Sequence, residues 1–303
     1  MFAEIAKKSL PLVSKTTFYA NKYPFGTMIR KLTKLLATTL FAIVATACTN
    51  ATKAPCFVQI SDPQLGFITE SEDFAPEQAN MEILATAVNK LKPDFVVFTG
   101  DYVQWRTDEN ALEGFRKMHS LFDPSIPLYI LPGNHDVGEA SPEEMEQYIA
   151  RYGHDRFVFE GSDYTAIGYN SCLVKSDAQG EDEHYEWMRS ALQKASERGL
   201  PIVVAAHHPL FVEHPEEEDA GVNIPMAMRL RYLDLFEQYG VDLALSGHLH
   251  HCVRAEYKGM QMATTSAAGR PLGDEDSGLT VVTFPEGCPT PTFHDLSALK
   301  NLK

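Results

Sequence analysis

The 303-residue sequence is poor in cysteine, in tryptophan and in basic side chains. Its five cysteines are too few for a scaffold built from disulfides. No apolar run approaches the roughly 20 residues of a membrane-spanning helix, which excludes a protein with several such helices. The 26 Lys and Arg residues are outnumbered by 41 Asp and Glu residues, so the net charge is −15. Because nucleic-acid binding depends on clustered basic side chains, this charge predicts no nucleic-acid partner.

The basic residues are concentrated near the N-terminus. Residues 1–47 contain seven basic residues and one acidic residue, whereas residues 48–303 contain 19 basic and 40 acidic residues, a net charge of −21. A short basic segment starts at Met28, and a 13-residue apolar run that ends in small residues leads to Cys48. This order is typical of a secretory signal peptide. We therefore expect a leader over residues 1–47, with its start at Met28 and cleavage before Cys48.

The small residues before Cys48 resemble the lipobox of bacterial lipoproteins, in which the cysteine is lipidated after cleavage. The resemblance implies an exported protein, either periplasmic or anchored to a membrane through Cys48. Ala45 stands where lipoproteins more often have Leu or Val, so an ordinary signal peptide is the alternative. In an oxidising compartment the other four cysteines could pair in three ways, and the sequence does not choose among them.

Short apolar runs alternate with amphipathic segments in the rest of the sequence. Five runs rich in Val, Ile and Phe are bounded by Pro, Gly or Asp, as expected for buried strands. The predicted helices are 77–91, 111–122, 142–152, 181–198 and 224–239, and the predicted hairpin strands are 157–170, 251–264 and 279–284. This alternation predicts a single α/β domain over residues 56–303, after a short tether of residues 48–55.

Each of the five apolar runs is followed by side chains that can bind metal ions. The motifs are Asp62-Pro63-Gln64, Gly100-Asp101, Gly133-Asn134-His135-Asp136, His207-His208-Pro209 and Gly247-His248-Leu249-His250. Ligands of open α/β sheets bind outside the carboxyl ends of the strands, so these side chains are expected to converge. Nitrogen and oxygen donors without thiolates suit borderline or hard divalent cations. The large number of donors predicts a site for two metal ions.

This ordered set of motifs resembles the calcineurin-like metallophosphoesterase superfamily, over roughly residues 56–285. The resemblance implies a four-layer α/β/β/α sandwich with two mixed β-sheets and a dinuclear metal centre. The implied ligands of the first ion are Asp62, Gln64, Asp101 and His250. The implied ligands of the second ion are Asp101, which bridges both ions, Asn134, His207 and His248. The same resemblance implies that His135 is the catalytic acid or base and binds no metal.

Two residues depart from the usual pattern of the superfamily. Gln64 stands where a histidine is usual, and a glutamine oxygen is a harder and weaker donor than imidazole. The first ion is therefore expected to be loosely held, or to be Mn, Mg or Fe rather than Zn. Gln104 stands where many members have an Asp that orients the catalytic histidine, so we expect the orientation of His135 to be less fixed. The Asp-Pro-Gln motif resembles a narrower branch, the calcineurin-like phosphoesterase domain-containing proteins.

The implied activity is hydrolysis of phosphoesters by a hydroxide that two divalent metal ions activate. A phosphomonoester on a small molecule or a phosphoprotein is the preferred substrate, because the narrower branch contains phosphomonoesterases. One alternative is a phosphodiesterase or nucleotide hydrolase, and the other is a catalytically weak binding lipoprotein on the same fold. Long nucleic acid is the least favoured substrate, since the domain is acidic. The sequence predicts no oligomeric state.

Several residues near the motifs allow two interpretations each. Arg106, Arg229 and Arg270 could bind the substrate phosphate, but we interpret them more readily as members of surface salt bridges. Trp105 could form a wall of the site, but it is more readily interpreted as an aromatic residue that packs in the interior. The loop 211–221 fits a lid over the substrate and a solvated acidic loop equally well.

Overall fold

The computed structural model describes residues 54–68 and 73–301. The predicted leader, Cys48 and most of the tether lie outside the described residues, so these predictions remain expectations. None of the helices in the described segments combines the length and the apolar character that a membrane crossing requires.

Strands and helices alternate through most of the described chain. The strands are β1 (Cys56–Ile60), β2 (Val96–Thr99), β3 (Leu128–Leu131), β4 (Phe157–Glu160), β5 (Thr165–Gly168), β6 (Ile202–Ala205), β7 (Leu243–Ser246), β8 (Val253–Tyr257), β9 (Met260–Thr264), β10 (Gly278–Thr283) and β11 (Thr290–Asp295). The helices are α1 (Ala75–Leu91), α2 (Glu109–His119), α3 (Asn134–Val137), α4 (Pro142–Tyr152), α5 (Ser171–Ser176), α6 (Glu181–Glu197), α7 (Met226–Gln238) and α8 (Leu296–Lys300). All five predicted helices are present. Strand β11 and the short helices α3, α5 and α8 are not among the predicted elements.

The described strands form two mixed sheets. The order of the first sheet is β11-β10-β1-β2-β3, and the order of the second is β4-β5-β6-β7-β9-β8. Strands β1, β2 and β3 run parallel, as do β5, β6, β7 and β9. Strands β10, β11, β4 and β8 join antiparallel. In each sheet the parallel strands therefore end at one common edge, where the loops with the polar motifs begin.

Three apolar layers hold the sheets and helices together. On β1, Val58 and Ile60 pack with α1 and α2, whereas Phe57 faces the second sheet and contacts the layer that contains Val203. Successive side chains of a strand point to opposite faces of its sheet, and in β1 both faces are buried. On its outer face the second sheet packs against α6 and α7, with Phe236 in that layer. The layers are α/β/β/α, which confirms the predicted four-layer sandwich.

Helix α4 begins where Ser141 and Pro142 predict a start. The Ser141 hydroxyl accepts a hydrogen bond from the main-chain nitrogen of Glu144, and the Glu144 carboxylate accepts one from the main-chain nitrogen of Ser141. The Glu144 carboxylate also pairs with Arg106 at 2.6 Å. The interpretation of Arg106 as a salt-bridge residue is confirmed, and the pair joins the loop after β2 to α4.

The cysteines of the described segments form no disulfide. Cys56 on β1 and Cys172 on α5 are buried, whereas Cys252 is half-buried and Cys288 is exposed. None of the pairings that the sequence left open is therefore present in the described part of the chain.

Candidate metal centre

The seven predicted metal ligands lie together at the carboxyl ends of strands from both sheets. They are Asp62 and Gln64 after β1, Asp101 after β2, Asn134 after β3, His207 after β6, and His248 and His250 after β7. All except Asn134 and His248 are buried. The main-chain nitrogen of Gln64 donates to the main-chain oxygen of Asp101 at 2.9 Å, and that of His248 donates to the Asp62 carboxylate at 3.0 Å. The first bond joins two loops of the first sheet, and the second joins a loop of the first sheet to a loop of the second.

His207 lies at the centre of the donors predicted for the second ion. Its Nε2 atom lies 3.3 Å from Oδ2 of Asp101, 3.0 Å from Oδ1 of Asn134 and 3.0 Å from Nδ1 of His248. One ligand atom each from Asp62, Asp101 and His207 also lie within 4.8 Å of one another. Carboxylate, amide and imidazole donors at these separations suit a divalent cation of borderline character.

Main-chain oxygens determine which nitrogen each histidine presents to the site. Nδ1 of His207 donates to the oxygen of Thr99 at 2.8 Å, and Nδ1 of His250 donates to the oxygen of Arg270 at 2.6 Å. In His248 the ring is reversed, and Nε2 donates to the oxygen of Gly221 at 3.1 Å. The other nitrogen of each ring therefore faces the site, as in metal-binding histidines whose outer nitrogen is hydrogen-bonded, and it would offer its lone pair once a cation displaces the proton.

The donors predicted for the first ion include two oxygens that lack hydrogen-bond partners. Oδ1 of Asp62 and Oε1 of Gln64 are buried, and neither accepts a hydrogen bond. Nε2 of His250 lies 3.5 Å from Oδ1 of Asp62. A buried oxygen without a partner is unfavourable by about 1–3 kcal/mol. A cation between these atoms would compensate for that penalty, so the residues fit a metal ion.

The backbone of the site is strained. Five of the seven predicted ligands have a left-handed conformation, with φ of 51° at Asp62, 37° at Gln64, 54° at Asp101, 68° at His248 and 55° at His250. Residues other than glycine rarely adopt this conformation, and where they do the surrounding structure must hold them. Such strain is typical of functional sites, because it points side chains in directions that an ordinary loop does not allow.

Two glycines allow close packing at this edge, Gly133 between loops of the first sheet and Gly247 between the two sheets. A Cβ atom at Gly133 would lie 2.7 Å from Cγ of Asp101, and a Cβ atom at Gly247 would lie 2.7 Å from Oδ2 of Asp62. Neither position therefore accepts a side chain unless the backbone moves. The glycines of the third and fifth motifs are explained by this close packing.

The charges of the site stabilise ionised carboxylates. Burial raises the pKa of Asp101, but His207 outweighs it and holds this pKa well below its usual range. Burial likewise raises the pKa of Asp62, and His250 reverses that effect. Burial lowers the pKa of His207, but the Asp101 carboxylate raises it to about 9. Both carboxylates are thus anionic at neutral pH and available to bind a cation.

His135 lies at the rim of the centre and is half-buried. Its main-chain nitrogen donates to Oδ1 of Asp101 at 2.9 Å, and its Nδ1 donates to the main-chain oxygen of Gln104 at 2.8 Å. The ring thus has a hydrogen-bond partner that orients it, and the expectation that its orientation is less fixed than with a carboxylate partner stays a prediction. The main chain at position 104 orients this ring, in place of the carboxylate that other members of the superfamily have there.

The interpretation of Trp105 as an aromatic residue that packs in the interior is wrong. Its side chain is 63% exposed, and its ring centroid lies 6.5 Å from that of His135. The residue lies in the loop that leads from β2 to α2. Trp105 is thus a wall beside the candidate acid or base.

The other two arginines make contacts of different kinds. Arg229 pairs with Asp219 at 3.7 Å, as the salt-bridge interpretation predicts, although its own side chain is buried rather than at the surface. Arg229 is completely buried and donates hydrogen bonds to the main-chain oxygens of Pro215, Glu217 and Ile224. It stabilises the loop before α7 from inside, and it is not available to a substrate. The guanidinium of Arg270 lies 5.4 Å from the ring centroid of Phe67. The main-chain oxygen of Arg270 accepts the hydrogen bond that orients His250.

The loop 211–221 is internally bonded and reaches the metal centre. The Glu217 carboxylate accepts hydrogen bonds from the main-chain nitrogens of Val212 and Glu213 and from the side chain of Asn223. At its far end the Gly221 oxygen accepts from His248. This loop therefore belongs to the structure of the site, in addition to being acidic and solvated.

Known proteins resemble this chain in sequence and in fold. The model of the calcineurin-like phosphoesterase family matches residues 57–252. The chain is 32% identical over 269 residues to serine/threonine-protein phosphatase CPPED1 of Danio rerio, which covers 80% of this chain and 85% of the relative. Its identity to the Homo sapiens protein of the same name is 31% over 252 residues, which covers 75% of this chain and 79% of the relative.

A solved structure with a similar fold is that of a dimetal phosphatase from Danio rerio. The two structures superpose with a TM-score of 0.63 over 80% of this chain and 96% of the other. The sequence identity over this superposition is 11%, so the similarity concerns the fold.

Proposed function

Since this chain belongs to the calcineurin-like phosphoesterase family, we propose that it removes phosphate from phosphomonoesters on proteins or small molecules. The chain is a metal-dependent phosphoester hydrolase, and its relatives named as serine/threonine phosphatases support a monoester as the substrate. The observation that most strongly supports the site is the pair of buried, unpartnered oxygens on Asp62 and Gln64. Oδ1 of Asp62 lies 3.5 Å from Nε2 of His250, whose other nitrogen is already bonded to a main-chain oxygen.

The donor set fits two divalent cations. We propose that Asp62, Gln64, Asp101 and His250 hold the first, and that Asp101, Asn134, His207 and His248 hold the second. When bound, these cations would activate a water molecule as the nucleophile and neutralise charge on the phosphoryl oxygens. The metals are divalent by analogy with the family, and the oxygen donor of Gln64 favours Mn, Mg or Fe over Zn in the first position.

The chain's own residues prepare the centre for this chemistry. Asp101 uses both carboxylate oxygens, since Oδ1 accepts from the main chain of His135 and Oδ2 lies 3.3 Å from His207. Its negative charge is maintained at neutral pH because His207 lowers its pKa. The left-handed conformation of Asp101 aims this side chain across the gap between the sheets.

His135 is proposed as the acid that protonates the leaving oxygen. Because its Nδ1 donates to the Gln104 oxygen, Nε2 is left to face the substrate. A protonated ring would give the Nε2 proton to the departing alcohol and return as a neutral ring. Positioned acid catalysis of this kind is typically worth about 10²- to 10⁴-fold in rate.

We also propose that the protein is exported and that Cys48 carries a lipid. The basic segment, the apolar run and the small residues before Cys48 support this proposal. Expression in a bacterium, followed by detergent phase partition and mass spectrometry, is expected to find the wild type in the detergent phase with an acylated Cys48. The Cys48→Ala variant should lose both properties, whereas Cys288→Ala should keep them. A wild type recovered without acylation would contradict the lipid anchor.

The phosphatase activity is tested with the purified full chain. Bound metals are measured by mass spectrometry, and an aryl phosphomonoester, an aryl phosphodiester and a phosphoserine peptide are assayed with Mn²⁺, Mg²⁺, Fe²⁺ and Zn²⁺. We expect metal-dependent turnover that is fastest on a monoester and lost in Asp101→Asn. The control Asp234→Asn, at an exposed position on α7, should retain it. Faster diester cleavage would identify a phosphodiesterase, and metal binding without turnover would identify a binding protein.

A further inference from the structure

A cavity of about 320 Å³ lies between α2, α4 and β3, apart from the metal centre. The residues that line it are Phe115, Arg116, His119, Leu128, Ile130, Arg151, Tyr152 and His154. None of them is among the predicted metal ligands or the candidate acid. The volume is at the lower end of the roughly 300–1,000 Å³ that is usual for small-molecule sites.

The lining combines an apolar floor, formed by Phe115, Ile130 and Tyr152, with two positively charged side chains. Phe115 and Ile130 are buried, and the Phe115 and Tyr152 rings lie edge to face with centroids 6.3 Å apart. Arg116 and Arg151 supply two guanidinium groups, and no Asp or Glu lines the cavity. In a chain with 41 acidic residues, a cavity with this charge is chemically distinct from the surrounding surface. It is therefore suited to an anion that also has an apolar part.

Both arginines retain hydrogen-bonding capacity for a ligand. Arg116 pairs with Glu113 at 3.2 Å, but each side chain of this pair is 53% exposed, so the pair is weak. Arg151 donates to the main-chain oxygen of Arg106 and lies 3.6 Å from Glu109. A guanidinium has five N–H groups, and these contacts use only some of them.

Arg116 and Arg151 place two positive charges in the lining of one cavity, one from α2 and the other from α4. Burial raises the pKa of the Tyr152 hydroxyl and Asp136 adds to the rise, whereas Arg151 and Arg116 both lower it. Both arginines and Tyr152 line the same cavity. Two cations near one point can hold a single carboxylate from two directions.

The histidines of the cavity contribute polarity without charge. Burial lowers the pKa of His119 and of His154, so both rings are neutral at neutral pH. Nε2 of His154 is buried and has no hydrogen-bond partner. A polar atom in this state is unfavourable unless a ligand or water reaches it. The lining of the cavity thus includes a residue with an unused polar atom.

We propose that this cavity binds a small organic anion with a flat apolar body, of the class of aromatic carboxylates. Its carboxylate lies between Arg116 and Arg151, and its ring lies against Phe115, Ile130 and Tyr152. The apolar floor disfavours inorganic phosphate, which offers no surface to bury, and the small volume disfavours a macromolecule. The site is additional to the proposed phosphatase site, and its occupancy does not require catalysis.

Isothermal titration of the full chain with 2-naphthoate and with the uncharged 2-naphthamide tests the proposal. We expect naphthoate to bind at least tenfold more tightly than the amide, because only the anion can pair with the arginines. Arg116→Gln and Arg151→Gln are each expected to weaken naphthoate binding by fivefold or more. The matched control is Arg189→Gln, since Arg189 also pairs with a glutamate three residues before it on an exposed helix surface.

The same titration separates this cavity from the metal centre. Asp101→Asn is expected to bind naphthoate as the wild type does, since Asp101 does not line the cavity. The proposal is overturned if naphthoate and naphthamide bind equally, if neither binds at millimolar concentration, or if Asp101→Asn loses binding while Arg116→Gln keeps it. Arg116 is exposed, so its variant should fold even if the Arg151 variant does not.

Discussion

The side-chain nitrogen of Gln64 donates a hydrogen bond to Oε1 of Gln104 at 3.0 Å, which leaves Oε1 of Gln64 buried and without a partner. Gln64 and Gln104, the two residues at which the sequence differs from the usual superfamily pattern, are therefore bonded to each other. Gln104 fixes the amide of Gln64 with the oxygen toward the site, and its main-chain oxygen orients His135 at the same time. One loop thus positions both a proposed ligand and the proposed acid.

Replacement of Gln104 by leucine is expected to weaken the first metal site. The leucine side chain cannot accept from Gln64, so the amide of Gln64 is free to rotate. Loss of a residue that orients a ligand typically costs about 10- to 100-fold in metal affinity. Competition with a fluorescent chelator measures this affinity, and Gln193→Leu, at an exposed position on α6, is the control. Equal affinity in both variants would contradict the positioning role of Gln104.

Replacement of Gln64 by histidine is expected to shift the first site toward zinc. An imidazole is a stronger and softer donor than an amide oxygen, and zinc prefers it. Purified from zinc-containing medium, Gln64→His should hold more zinc per chain than the wild type, as measured by mass spectrometry. If the zinc content is unchanged and the manganese content does not fall, Gln64 is not a metal ligand.

His135→Asn is expected to slow turnover without removing the metals. The acid lies outside the proposed ligand set, so metal content should match the wild type. The loss in kcat should approach about 10²- to 10⁴-fold for an alkyl phosphate. It should be smaller for an aryl phosphate with an acidic leaving group, which needs less help from a proton donor. A loss that is the same for both substrates would argue against proton donation by His135.

Trp105→Ala is expected to change substrate preference more than catalysis. The exposed indole beside His135 offers a flat surface to the part of the substrate that leaves with the oxygen. Loss of this surface should raise KM for an aryl phosphate by about three- to tenfold, because aromatic pairs contribute roughly 0.5–1.5 kcal/mol. The KM for a small alkyl phosphate should not change. An equal effect on both KM values would indicate a general disturbance of the loop.

His184 is expected to make the fold sensitive to acid. Burial lowers its pKa to about 3, and neither ring nitrogen has a hydrogen-bond partner. Because this pKa lies below the unfolded value of 6.5, the contribution of the neutral ring is complete above pH 6.5 and is lost as the pH falls toward 3.

Urea unfolding at pH 7.5 and pH 5 measures this effect. The free energy of unfolding of the wild type should fall between pH 7.5 and pH 5. In His184→Leu this fall should be smaller by about 2 kcal/mol. His214→Leu, at an exposed position in the loop before α7, should lose as much as the wild type. If His184→Leu and the wild type lose the same amount, the buried ring is not the source of the acid sensitivity.

Local patterns in the sequence account for the fold and for the identity of the candidate ligands. The apolar runs predict the main strands, because a strand that is buried on both faces is apolar along its whole length. The amphipathic segments predict the helices, because a helix that is buried on one face has apolar residues every three or four positions. The short helix α3 is absent from the prediction, since the four residues of Asn134–Val137 are too few to show a period. Strand β11 has a mixed apolar and polar sequence at the edge of its sheet, which no simple alternation describes.

The roles of single residues at the site depend on contacts that carry no sequence signal. Every residue has a main-chain oxygen, so nothing marks those of Thr99, Gln104 and Arg270 as the groups that orient His207, His135 and His250. An arginine can lie at a surface or inside a loop, and only the packing of residues 215–224 around Arg229 decides that it is internal.

The sequence by itself determined which donor atoms stand at the strand ends of the candidate metal centre, because the residue types at those positions are a local property of the chain. The tertiary structure alone decided which nitrogen of each histidine faces the site, how the Gln64 oxygen is directed, and that Trp105 stands at the rim. These features arise where two sheets meet, between residues that are distant in the chain. Their geometry is set by close packing and shared hydrogen bonds, which no segment contains before the chain has folded.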